Sequence, residues 1–229
     1  MADDDQPEPD RREPDRPQRP GPIGGDMATI VFGLARRMRV PALTRQHSSR
    51  VVLGVFAFVN GVVSIAVMSL AAIVTGAPFV FPSLGPTAFL LFYTPLAASA
   101  CPRNSMYGHA IGAASGYLAL VVFGLTDHGP ALVEGVTGAT LGAAALSLGL
   151  TSGLMVWCGV PHPPACATTL IVSLGIIREP WQLVVLMLAV ALLVLQGYVI
   201  NHLAGIDSPR WGPHPAPTPP DQWPPRSRA

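Results

Sequence analysis

Between Val51 and Ile206 the chain carries only five formally charged residues: Arg103, Asp127, Glu134, Arg178 and Glu179. A domain that folds in water has about a quarter of its residues charged. A stretch this long and this poor in charge cannot cover itself with a polar surface. It must be surrounded by lipid, and there every backbone N–H and C=O has to be satisfied within the protein. That excludes an ordinary water-soluble enzyme, a disordered chain and a nucleic-acid binder. The net charge of +1 averages over segregated blocks and says nothing about partners. Every basic residue is Arg, which removes Lys Schiff-base chemistry. Three cysteines, Cys101, Cys158 and Cys166, form an odd set that argues against a disulfide framework.

The chain divides into tails and a core. Residues 1–26 are acidic and Pro-rich, with too little apolar surface to offset the entropy of ordering, so disorder is expected. They lack the basic n-region of a signal peptide. Residues 27–50 carry apolar residues beside Arg36, Arg37 and Arg39, which suits either a basic amphipathic helix in the headgroup layer or a plain juxtamembrane flank. Residues 51–206 are the membrane domain, and residues 207–229 are a second Pro-rich tail for which disorder is expected.

The expected fold class is all-α, a polytopic transmembrane helix bundle. Four long apolar segments run from Val51 to Thr75, Tyr107 to Leu125, Ala131 to Gly159 and Trp181 to Leu203. Each reaches the roughly 20 residues that span about 30 Å of hydrocarbon. Two shorter segments open with proline breaks, and helices are expected to start near Pro86 and near Pro164. Each half thus has a long helix, a Pro-broken short helix and a long helix, a pattern that predicts an inverted repeat. Arg-rich flanks before Val51 predict a cytoplasmic N-terminus in the inner (plasma) membrane. The Arg distribution favours six crossings over four with two re-entrant segments.

Glycines recur at four-residue spacing: Gly108, Gly112 and Gly116, then Gly138 and Gly142, with Gly149 and Gly153 beyond. Small residues on one helical face let backbones approach closely. The two glycine segments are expected to pack on each other or on a second copy, which makes a homo-oligomer through these faces a candidate assembly.

The strongest candidate for chemistry is Pro161-His162-Pro163-Pro164. His162 could donate to an anion or hold a proton near neutral pH, and the helix after Pro164 should present free N–H groups. The matching break offers Ser83, Gly85 and Thr87 at a second helix N-terminus; an ordinary cap is the alternative reading. His109 lies in the glycine face just after Arg103 and Asn104, and an ionisable residue inside a span is a functional candidate. Arg103 suits a carboxylate substrate, Glu134 or a cytoplasmic anchor equally well. Asn60 is a weaker candidate, and Asn201 and His202 are expected at the interface. Cys158, His162 and Cys166 are spaced by four, but three prolines interrupt them and no second ligand pair is evident, so no metal is expected. No phosphate-binding loop or hydrolase motif occurs, so neither a cofactor nor enzymatic activity is expected, and no catalytic residues are assigned.

Three motifs, Phe81-Pro-Ser-Leu-Gly-Pro-Thr-Ala88, Pro102-Arg-Asn-Ser-Met-Tyr-Gly-His109 and His162-Pro-Pro164, stand in the order seen in the HPP family of integral membrane proteins. The chain resembles that family over roughly residues 50–205. The resemblance implies four spans and a transporter; some plastid and cyanobacterial relatives are linked to nitrite transport. Two functions stay open: a transporter or channel for a small anion, nitrite among the candidates, with its site between the two Pro-broken helix starts, or a membrane scaffold without transport. The partners expected are the lipid bilayer and a small anion, with no nucleic acid.

Overall fold

The computed structural model describes residues 39–213. The acidic tail, the 27–38 segment and the chain from residue 214 onward lie outside the described residues, so the expectations for them stand as made. Within that range the fold is helical, with one 3-10 turn and no strand. Helix α1 is Val40–Gln46, α2 is Ser49–Thr75 and α3 is Leu84–Tyr93. The 3-10 turn Ala98–Ala100 leads into α4, Pro102–Val122. The single turn α5, Ala131–Glu134, precedes α6, Gly138–Trp157. Helices α7, Pro164–Ser173, and α8, Pro180–Leu203, complete the core.

Proline sets three of these starts. Pro102, Pro164 and Pro180 occupy the first turns of α4, α7 and α8, where a missing N–H costs nothing. The segment expected as one helix from Ala131 to Gly159 is broken. Gly135 takes a φ of 90°, a conformation open mainly to glycine, and ends α5. Thr137 then restarts the chain as α6 with a capping box: its hydroxyl accepts from Thr140 N, and its own N–H donates to Thr140 Oγ1.

Helices α2, α6 and α8 are long and apolar enough to cross a membrane. The 21 residues of α4 reach about 31 Å, but its polar first turns set it apart from those three. The distribution of side chains is inverted relative to a water-soluble protein. Fully buried residues include Ser64, Thr87, Asn104, His109 and His162, whereas Phe58, Ile73, Trp157 and Leu188 are exposed. Polar groups inside and apolar groups outside are what hydrocarbon solvation selects.

Contacts define two ends of the bundle. At one end, Val40 N donates to Ala204 O at 3.1 Å, Arg103 N to Trp211 O at 2.9 Å and Arg103 Nη2 to Gly159 O at 3.0 Å. At the other, Ala131 N donates to Leu174 O at 2.9 Å, Arg178 Nη1 bonds to His128 O, and Phe123 lies against Gly142. The chain therefore passes between the ends six times. The middle pass of each half combines an irregular stretch with a ten-residue helix. The first half starts at the Arg103 end and the second at the Glu134 end, so the halves run in opposite senses. They also interleave alike: α3 packs on α2 of its own half and on α8 of the other, while α7 packs on α6 of its own half and on α4 of the other.

The glycine face of α4 makes its closest approach to α7. A Cβ on Gly108 would lie 2.6 Å from His162 Cβ, one on Gly112 2.6 Å from Ala165 O, and one on Gly116 2.8 Å from Thr169 O. The three glycines thus hold α7 parallel to α4 at backbone contact. The tightest partner is the short helix, while the second glycine segment also packs on α4 as expected. On α6, Gly142 accommodates the Phe123 ring, and Gly138 and Gly149 face open space.

Candidate functional site

The tight α4–α7 contact carries His109 and His162 to one point. His109 lies seven residues into α4, about 10 Å along its axis. His162 precedes α7 in a turn closed by Ala165 N donating to His162 O at 3.0 Å. The imidazole centroids are 4.9 Å apart and the two Nε2 atoms 3.2 Å apart. Thr87, on the first turn of α3, inserts its hydroxyl between them, at 2.9 Å from His109 Nε2 and 3.2 Å from His162 Nε2. All three side chains are fully buried. The site therefore draws one group from each Pro-broken segment and one from the glycine-faced helix.

The hydrogen-bond partners assign the protons. His162 Nδ1 lies 2.7 Å from Ser99 O. A carbonyl only accepts, so Nδ1 carries the hydrogen, and Nε2 of the neutral ring is the acceptor. Its donor is His109 Nε2–H, because the single hydrogen of the Thr87 hydroxyl goes to Ser83 O at 3.1 Å and its oxygen is left to accept. With Nε2 protonated, His109 accepts at Nδ1 from the Thr168 hydroxyl, 2.7 Å away. Every imidazole nitrogen is thereby satisfied without a formal charge, as a buried cluster requires. Ser105 Oγ adds a longer contact to His162 Nδ1 at 3.4 Å. Behind the cluster, Thr151 and Thr169 hydroxyls meet at 2.6 Å and tie α6 to α7.

The remaining expected site residues fall into two groups. Ser83 is buried beside Thr87, its carbonyl accepting from Thr87 Oγ1 at 3.1 Å and its own hydroxyl without a partner among the described residues. Pro164 is buried as the first residue of α7. Gly85 and Pro163, in contrast, are exposed, and nothing lies within 4 Å of where a Gly85 Cβ would be, so no close approach uses it. Asn104 is buried but spends its amide on Ala98 O at 2.9 Å and on Arg103 Nε at 3.1 Å. Arg103 lies at the bundle end, bonded to Asn104 and Gly159 O. Pairing with Glu134 does not occur, because Glu134 sits at the opposite end and accepts from Gly129 N at 2.9 Å.

Free N–H groups at the two helix starts were expected, and the structure leaves none of the first ones open. Leu84 N and Gly85 N donate to Phe81 O and Pro82 O, and Ala165 N and Cys166 N donate to His162 O and Pro163 O. Proline supplies none at positions 86, 163 and 164. The side-chain donors at the site are imidazole N–H and hydroxyl groups. Asn60 is turned to its own helix, donating to Phe56 O at 2.7 Å. Asn201, expected at the interface, is instead buried and donates to Leu91 O at 2.8 Å, tying α8 to α3; His202 is exposed. Cys158 is exposed while His162 is buried, so the four-residue spacing does not bring them together. Thr168, Ser105 and the Ser99 carbonyl went unrecognised from sequence. A threonine in an apolar helix and a backbone carbonyl carry no local signal.

A helical bundle with apolar surface, six passes and a buried polar cluster fed by broken helices defines a multi-pass integral membrane protein. The model of the HPP transmembrane region matches residues 46–210, and the chain belongs to that family. No curated protein and no solved structure matches it.

Proposed function

We propose that this chain is a membrane transporter or channel for a small anion, in a closed state, with the His109–Thr87–His162 cluster as the substrate site. The observation that carries the reading is the chemistry of the cluster: hydroxyl and imidazole groups, with no carboxylate near. Among the described residues, Asp127, Glu134, Glu179 and Asp207 all lie at the bundle ends. A cation site would need carboxylate or carbonyl oxygens free to coordinate. An anion needs donors, and the unpartnered Ser83 hydroxyl is one already buried at the site. Nitrite remains among the candidates on family resemblance.

The ends of the bundle support an orientation. Arg39, Arg45, Arg50, Arg103 and Arg210 gather at one end with Asp207, whereas Arg178 shares the other with three acids. Excess Arg favours the cytoplasmic side, which supports a cytoplasmic N-terminus for the core. An oligomer through glycine faces would have to use α6, since the α4 face is occupied within the chain.

Uptake of nitrite and similar small monovalent anions into proteoliposomes tests the reading. Wild type should move at least one of them faster than protein-free liposomes, and His162→Ala should lose most of that rate. Failure of wild type with every anion would sink the transport reading and favour the scaffold.

A further inference from the structure

We infer that the imidazole pair carries one proton with each anion, so that transport of a monovalent anion is electroneutral symport. This rests on the anion-transport reading above.

The site holds no fixed positive charge. Arg103 is at the bundle end, engaged by Gly159 O and Asn104 Oδ1. The other ionisable groups on the elements packed around the pair are Tyr107 and Tyr117 on α4, Cys101 before it, Tyr93 on α3, Cys166 on α7, and Tyr198 and His202 on α8. None of them is hydrogen-bonded to either ring among the described residues, and Cys158 of α6 is exposed at its end. A bare anion in this interior would be very costly, so its charge has to be compensated by something that travels with it. The two rings are the groups placed to hold that compensation.

Their geometry admits one added proton and excludes a second. In the neutral cluster, His109 Nε2–H faces the His162 Nε2 lone pair at 3.2 Å, and His109 Nδ1 accepts from Thr168. An added proton goes to His109 Nδ1. The Thr168 hydroxyl then turns to accept from it, the Nε2–H···Nε2 bond is kept, and the cluster carries a single positive charge. A second proton would have to go on His162 Nε2; both Nε2–H groups would then share the Thr87 oxygen, and two cationic rings would stand 4.9 Å apart in a low-dielectric interior with no carboxylate near. Both Nδ1 atoms are by then donors, to Ser99 O and Thr168 Oγ1, and offer no other place. The proton comes from water on the side where the anion enters and returns to water where it leaves. On loading, an O–H bond of hydronium breaks as the N–H bond forms, and release to water reverses both.

The test uses the wild-type chain in proteoliposomes, with nitrite and the other small anions and protein-free liposomes subtracted. Initial rates are measured under an acid-outside pH gradient at zero voltage, and under a potassium–valinomycin potential at uniform pH. A lumenal pH dye is read throughout. Coupling by one proton predicts that a gradient of about one pH unit biases uptake roughly tenfold. It also predicts one lumenal proton per anion and a rate indifferent to voltage. A potential of about 60 mV would bias an uncompensated single charge roughly tenfold. Uptake that follows voltage and leaves lumenal pH unchanged overturns the coupling while anion transport stands. No uptake of any anion overturns both. His109→Gln keeps a donor and an acceptor but has no site for the added proton, so it should lose the dye signal. A folded His109→Gln that acidifies the lumen as wild type does would also overturn the assignment.

Discussion

Thr87 is the residue on which the cluster turns, because its one hydroxyl touches both imidazoles and the Ser83 carbonyl. Thr87→Val keeps the shape and removes the polar atom, leaving buried nitrogens short of a partner. A loss of about 1–3 kcal/mol is expected from such a vacancy, read by thermal or denaturant unfolding in detergent. Thr87→Ser should recover most of it, and a Val variant as stable as wild type would show that the hydroxyl is dispensable. Gly108 acts on the same site through space. A methyl group there would meet His162 Cβ at 2.6 Å, so Gly108→Ala should displace the imidazole and lower anion uptake even where the protein still folds. Unchanged uptake would mean that the ring position is not critical.

At the scale of the element, α4 and α7 are joined by backbone contact that no larger residue permits. Gly112→Leu should sharply reduce folded yield, because even its Cβ would lie 2.6 Å from Ala165 O, a backbone atom that cannot step aside. Gly149→Ala on α6 is the matched control, with open space at the same atom, and should be tolerated; helix propensity makes it neutral or slightly stabilising. Size-exclusion recovery of both variants decides the point, and equal recovery would refute the tight contact. The glycine spacing announced a close approach, but not its partner. A stripe of small residues on a helix offers the same invitation to any neighbour, and that α7 takes the backbone contact while α6 packs alongside depends on how the loops bring the helices round.

For the molecule as a whole, six passes place Cys158 at the Arg103 end and Val133 at the other. With Cys101 and Cys166 replaced by Ser, native Cys158 should react with an impermeant thiol reagent only from the cytoplasmic side. With Cys158 also replaced, Val133→Cys should react only from outside. Both positions are exposed. Labelling of the two from the same side would rule out this topology, since they lie at opposite ends of α6 and its preceding turn.

The membrane class, the approximate helix positions and the Pro-set start at Pro164 were legible in the sequence, because each follows from local physics: apolar length, missing N–H groups and the rarity of charge; the starts at Pro102 and Pro180 were not, since the apolar runs alone put those helices at Tyr107 and Trp181. His162, Thr87 and His109 could be singled out one by one for the same reason, as polar groups where lipid tolerates few. Their meeting could not. Positions 87, 109 and 162 are far apart along the chain, and only the interleaving of the halves and the packing of α7 on the α4 glycines bring them within hydrogen-bond reach. The break at Gly135, the partners Thr168 and Ser99, and the fate of the helix-start N–H groups were likewise decided by tertiary structure. In each, the deciding term is which buried donor finds which acceptor, and that is a property of the packed chain.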